Sequence, residues 1–293
     1  MMSLINALPG AVAQGLIWGI MAIGVYLTFR ILDIADLTVD GSLGTGGAVC
    51  IMLMLSGQNV WVAMAGATAA GMAAGLATGI LHTFMGIPAI LAGILTQLGL
   101  YSINLKTMGK ANQAINVDKY DLLVSLRFIR KVPFYKNTIL IVAIAIILLI
   151  VVLYWFFGTE LGCSLRATGC NDKMARAQGI NTDFNRVLGL MISKGLVALS
   201  GAMLCQYQGF ADINMGRGAI VIGLAAVIIG EAIFGKVFRN FGFKLLAVAL
   251  GSIIYYLVLQ VVIWLGIDTD LLKLLSAGVV AVFLAIPDRK SVV

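Results

Sequence analysis

The sequence predicts an all-α polytopic membrane protein, with about eight or nine transmembrane or broken helices in two inverted repeats. Three observations carry this expectation. First, 61% of the 293 residues are hydrophobic and only 11% are charged, with a mean hydropathy of +1.03; a soluble domain carries about 25% charged residues. Second, the apolar residues run in long continuous stretches instead of alternating, which in a bilayer selects helices over a barrel. Third, the two halves of the chain match. Ile34-Ala35-Asp36-Leu37 follows the first apolar stretch and Phe210-Ala211-Asp212-Ile213 follows a later one. Gly86-Ile87 and Gly266-Ile267 then open further stretches at nearly the same offset.

Nine apolar spans are expected, at residues 9–29, 42–55, 60–81, 86–103, 139–157, 187–207, 219–234, 243–265 and 271–286. The first opens on Pro9 and ends in a polar break, 32–41, that carries Asp33, Asp36 and Asp40. The second, seventh and ninth are shorter than the roughly 20 residues a crossing needs, so they read as tilted, broken or half-membrane helices. The fourth carries Pro88, where a break is expected. The fifth is the most uniformly apolar. Repeat one then covers about 9–105, a linking loop and span 106–158, a polar loop 159–185, and repeat two about 186–286. Trp61, Trp155 and Trp264 fall near span ends, as interface aromatics do.

Charge sets the orientation. With the N-terminus outside, the inner loops hold Arg30, then Arg166, Lys173, Arg176 and Arg186, then Lys236, Arg239 and Lys244, then Arg289 and Lys290. The basic 106–137 loop opposes this arrangement. Spans one and six then enter from opposite faces, as inverted repeats require. Within 106–137, residues 120–131 read as a surface helix with a solvated basic face. No Lys or Arg precedes Arg30, so a positive signal-peptide start is not expected. Cys163 and Cys170 lie in the inner 159–185 loop with no His nearby, so they read as reduced thiols and not as metal ligands.

Two polar segments and a few polar residues within spans are candidates for mechanism. In the 159–185 loop, Asn171 suits a helix N-cap and Gly179 a C-cap, which predicts a two-turn helix over 172–178. So short a helix must dock to persist, on the rest of the protein, on a partner's groove or on lipid headgroups. The 33–42 break faces protein or a water cavity, because lipid tolerates no open backbone. There Thr38 and Ser42 can satisfy freed backbone groups, beside Asp36 and Asp40. The break lies beside a path or is a polar turn with glycine-mediated packing. Its repeat partner, 212–218, carries Asn214 and Arg217 and reads as an outer gate or a partner contact. Gln97 with neighbouring Thr96 is the best uncharged path-lining candidate. Lys194 lies in span six, either facing a cavity or reaching the interface, and Glu231 is expected to pair with Lys236 near an inner end.

Gly162-x-x-Leu165-Arg166-Ala167-x-Gly169 and Ala175-x-x-x-Gly179-Ile180-Asn181 resemble the cytoplasmic signature of bacterial ABC importer permeases for branched-chain amino acids and ribose-type sugars. Asp36-Leu37-Thr38-Val39-Asp40-Gly41-Ser42 is similar to the subgroup of tryptophan- and tyrosine-type permeases. The resemblance runs from Gly15 to Ala285. It implies a permease of the inner membrane, two copies around one pore, cytoplasmic ATPases, and an outside solute-binding protein. ATP and Mg would sit in the ATPase, with no cofactor on this chain. It also implies that Arg166, Ala167, Gly169, Asn171 and Lys173, with Ala175, Arg176, Gly179, Ile180 and Asn181, couple the permease to the ATPase. The implied solute is an amino acid, aromatic before branched-chain, with a sugar or nucleoside as the alternative.

A self-contained ion- or proton-coupled carrier also uses inverted repeats, but Glu231 is the only acid within an expected span. An enzyme is disfavoured. The chain has no metal-ligand cluster and no Walker-type loop with which to bind ATP itself.

Overall fold

In the computed structural model, residues 2–115, 120, 122–126, 137–235, 237–238, 240–265, 274, 277–278 and 281 are described. The Gly266-Ile267 pair, most of the ninth span, Lys236, Arg239 and the basic tail lie outside the described residues. The elements, in order, are α1 (Met2–Tyr26) with a π-turn Leu27–Ile31, α2 (Val39–Leu55), α3 (Val60–Thr83), α4 (Ala89–Met108), β1 (Asn112–Ala114), α5 (Thr138–Gly158), α6 (Glu160–Cys170), α7 (Asp172–Ala177), α8 (Thr182–Gln208), β2 (Phe210–Asp212), α9 (Ala219–Phe234) and α10 (Phe241–Trp264). Six of these helices are long and apolar enough to cross a membrane; α2 and α9 are the short ones.

Antiparallel packing of α1 on α8 is the spine. Tyr207 OH, Ser200 Oγ and Ser193 Oγ donate to the carbonyls of Gly10, Ile17 and Gly24, at 3.2, 2.8 and 2.8 Å. Each step is seven residues on both helices, the spacing at which one face returns to its partner. Helices that begin the two halves therefore run in opposite directions. The third helices are exchanged: α3 lies along α8 and α10 along α1, the two most extensive pairings. Glycine permits both. A Cβ at Gly71 or Gly75 of α3 would strike the carbonyl oxygens of Lys194 and Leu190, and one at Gly15 of α1 would strike the Ile253 backbone. Around this spine, α5 leaves Ile147, Leu148, Val151 and Trp155 exposed, so it faces lipid.

The two short helices start in the middle. Asp36 meets Lys194, Gly46 meets Ala198 and Cys50 meets Gln206, so α2 runs along α8 from its midpoint toward the β-ribbon end. Gly223 packs on Met21 and Val25, and Glu231 pairs with Arg30, so α9 runs along α1 toward the α6–α7 end. The two helix starts adjoin, and the carbonyl of Asp40 sits against Gly216.

Several details differ from the sequence reading. Helix α1 begins at Met2 and contains Pro9, and its membrane-length stretch runs Ala7–Ile31. Pro88 precedes α4 as its N-cap residue instead of breaking it, its fixed φ suiting a helix start. The β1–β2 ribbon, pairing Asn112 with Asp212 in antiparallel register, was not expected. Residues 122–125 are bends and coil, not a surface helix: Val124 is buried, and Ser125 exchanges hydrogen bonds with Thr138 Oγ1 at 3.2 and 2.8 Å. Here burial against α5 and α8 outweighed helical periodicity. The other residues of the expected 120–131 helix lie outside the described residues, apart from Tyr120 and Leu126.

Candidate functional site

The break between α1 and α2 is a hub. The π-turn ends α1, and Asp33 adopts φ 55°, a left-handed conformation that Asp tolerates better than most residues. Asp36 Oδ1 then accepts from Thr38 N at 2.8 Å, forming an Asx turn that starts α2. Its repeat partner does the same, with Asp212 Oδ1 accepting from Asn214 N at 2.7 Å. The other oxygen of Asp36 meets Lys194 Nζ at 2.6 Å, and both side chains are wholly buried. Neither of these two atoms has another partner among the described residues. Lys194 thus neither reaches the interface nor lines one of the clefts described below. Thr38 Oγ1 lies 3.0 Å from Thr78 Oγ1 on α3, and Ser42 Oγ donates to the Thr38 carbonyl at 2.9 Å. Gly93 lets α4 approach the Asx turn, since its Cβ would lie 2.9 Å from Leu37 N.

Asp40 joins the halves. Its Oδ2 accepts from Gly218 N at 2.9 Å and its Oδ1 from Ile220 N at 3.0 Å, so repeat one caps the first turn of α9. Asp40→Ala is expected to lower stability by about 1–2 kcal/mol, read as earlier thermal unfolding of the purified protein. Asp40→Asn, which keeps one acceptor, should lose less.

Two clefts flank this centre. One, of about 230 Å³, is lined by Asp40, Gln97, Tyr101, Asn104, Ile213 and Arg217, among others. The other, of about 160 Å³ on the α6–α7 side, is almost entirely apolar and is lined by Val25, Phe29, Ile34, Leu37, Ile90 and Leu224 with their neighbours. Leu37 and Ile213, the last residues of the two matched tetrapeptides, line opposite clefts. Gln97 is half-buried in the polar cleft, whereas Thr96 is buried and donates to the Ala92 carbonyl at 3.0 Å. Glu231 pairs with Arg30 at 3.2 Å, because α9 lies along the end of α1; its expected partner, Lys236, lies outside the described residues.

At the α6–α7 end, α6 escaped the sequence reading. Thr159 caps it, accepting from Gly162 N at 3.4 Å, and Glu160 occupies its first turn. Gly169 of α6 rests on the carbonyl of Ile31, so this helix touches the end of α1. Ala167 carbonyl accepts from Asn171 N at 3.0 Å as α6 ends. Arg166 donates to the Phe157 carbonyl at 2.9 Å. The short helix expected at 172–178 is α7. Asn171 Oδ1 caps it, accepting from Met174 N at 3.0 Å, and Gly179 follows at φ 81°. Ile180 N then donates to the carbonyl of buried Ala175 at 3.1 Å, and Asn181 caps α8. Arg176 bonds Thr182 Oγ1 at 2.7 Å and Asp183 at 2.8 Å, and Arg186 reaches Asp172 at 3.3 Å. These charges clamp α7 onto α8. Lys173, Met174 and Phe184 are exposed. The parts that went unforeseen are Thr78, Tyr101 and the Asp172–Asp183–Arg186 clamp; a Thr between glycines in an apolar span was the only hint of the first.

Comparison with known proteins agrees with this architecture. The family described as branched-chain amino acid transport system / permease component matches residues 8–284. A tyrosine transport system permease protein of Clostridioides difficile is 38% identical over 96% of this chain and 91% of its own length. An uncharacterised protein of Rickettsia prowazekii is 35% identical over 97% of this chain and 99% of its own. The autoinducer 2 import system permease protein LsrC of Yersinia pestis is 30% identical over 72% of this chain and 58% of its own. No solved structure matches. A family match over nearly the whole chain, on six membrane-length helices wrapped around two half-helices, means that the chain belongs to the branched-chain amino acid permease family and is a multi-pass inner-membrane component of an ABC-type transport system.

Proposed function

We propose that this chain forms the translocation path of an ATP-driven importer for an amino acid, aromatic before branched-chain. The observation that carries the reading is the α6–α7 unit, a short helix capped at both ends, clamped by charges to α8, and offering Met174 and Phe184 to a partner. Cytoplasmic ATPases dock there, and ATP with Mg belongs to them. Motion of α7 passes into α8, and motion of α6 passes through Gly169 into the end of α1. A second copy of the chain completes the pore, and an external binding protein delivers the solute. The aromatic preference is supported by the 38% identical relative whose name specifies tyrosine transport; the relative named for autoinducer 2 import keeps a sugar-like solute as the alternative.

The test is co-purification with ATPase and binding-protein partners, then ATPase and uptake assays in liposomes with a panel of amino acids and sugars. A complex stimulated by one amino acid is expected. Arg176→Glu breaks the clamp and Gly179→Val opposes the left-handed turn, so each should cut ATP-driven uptake by about fivefold or more while the chain still inserts. Normal uptake by both variants refutes the coupling role. The buried Asp36–Lys194 pair favours one other reading, a carrier driven by an ion gradient. Uptake by this chain alone, without ATPase, would establish it.

A further inference from the structure

The polar cleft beside Asp40 has a chemistry that the translocation reading does not by itself specify. On α4, Gln97, Tyr101 and Asn104 share one helical face, at the i, i+4 and i+7 positions. Across from them stand the Asp40 carboxylate and the Arg217 guanidinium. Arg217 is exposed and makes no ion pair among the described residues. It sits where α9 begins, at the depth of the Asp40 cap and partway along α8. A guanidinium at that depth is not left facing hydrocarbon, so it faces water or protein. Asp40 spends one lone pair of each oxygen on an α9 amide, and an ionised carboxylate has about four acceptor sites.

We infer that this cleft is a transit site for one zwitterionic α-amino acid. Arg217 holds its carboxylate, Asp40 its ammonium group, and Tyr101 with Leu98 its side chain. The planar fork of Arg matches a carboxylate in a way that a point charge does not. At about 230 Å³ the cleft is smaller than the roughly 300–1,000 Å³ of pockets that enclose drug-sized ligands, which suits one small solute. The companion cleft on the α6–α7 side has no such pair of charges, so the head group is bound on one side of the centre and released on the other.

This rests on the amino acid importer reading, and the experiment separates the two. The permease is reconstituted with its ATPases and binding protein, and ATP-driven uptake of L-tyrosine is measured beside binding-protein-stimulated ATPase. Arg217→Gln should lower uptake by about tenfold or more and leave the stimulated ATPase intact, while Arg217→Lys should recover part of the uptake. Since Arg217 is exposed, neither variant threatens the fold. Unchanged uptake by Arg217→Gln overturns the site. Equal loss of uptake and stimulated ATPase also overturns it, and makes Arg217 a binding-protein contact. If the wild-type complex moves no amino acid, the importer reading fails first and takes the site with it.

Discussion

Lys194→Met should be among the most damaging single substitutions in this protein. It leaves the Asp36 carboxyl group wholly buried and without its partner at 2.6 Å. Breaking a buried pair from one side costs about 3–5 kcal/mol, because the remaining charge is neither solvated nor paired. The loss should appear as poor recovery of folded protein and early thermal unfolding in detergent. Its companion is the sharper measurement. Asp36→Asn keeps the acceptor that holds Thr38 N, so the Asx turn survives. Combined with Lys194→Met it removes both charges, and the double variant should recover most of the stability. If the double variant is as unstable as Lys194→Met alone, the pair is not what holds α2 to α8. Uptake by the stable double variant then tells whether the charges serve anything besides the fold.

Gly201→Val should be comparably severe for a different reason. A Cβ there overlaps the Leu43 carbonyl oxygen, so α2 and α8 would have to separate. In lipid no hydrophobic effect draws helices together; close backbone approach and interhelical hydrogen bonds do. Overpacking costs about 1–3 kcal/mol where side chains can shift, and more where backbone meets backbone. Gly46, whose Cβ would strike the Ala198 carbonyl, should behave alike. Gly99→Ala is the control: it lies on α4 with nothing within 4 Å, and it should change nothing. Thermal unfolding of the three variants measures this, and a Gly201→Val protein that unfolds with the wild type refutes the close packing.

What the sequence revealed was whatever depends on local chemistry. Long apolar runs predicted nine spans, the first eight of which coincide with helices, and the length of 219–234 predicted a short one to the residue. Asn171 and Gly179 announced α7, and the tetrapeptides around Asp36 and Asp212 announced two matching breaks, though not that each is an Asx turn. What it concealed depends on partners distant in the chain. Lys194 looked like a residue seeking water, and nothing local says that Asp36 lies beside it. Glu231 was matched to Lys236 because that residue is near in sequence, and nothing local says that Arg30, far off in the chain, lies beside it. The β-ribbon has three residues per strand, too few to alternate, and exists because the ends of α4 and α8 adjoin. Nor does composition tell Thr96, bonded to its own helix, from Gln97, one position on and facing a cleft.

The exchanged helices constrain how the protein is made. Segments leave the ribosome in order, so α1 and α3 enter the bilayer before α8 and α10 exist. Until then the Gly15, Ile17 and Gly24 carbonyls have no serine to accept from, and Asp36 has no lysine. The early half must therefore wait, loosely assembled and about 100 residues of synthesis ahead of its mates, at about 5–20 residues per second. Separately expressed halves should each be degraded yet rescue one another when made together, a complementation that proteins with self-contained halves do not need.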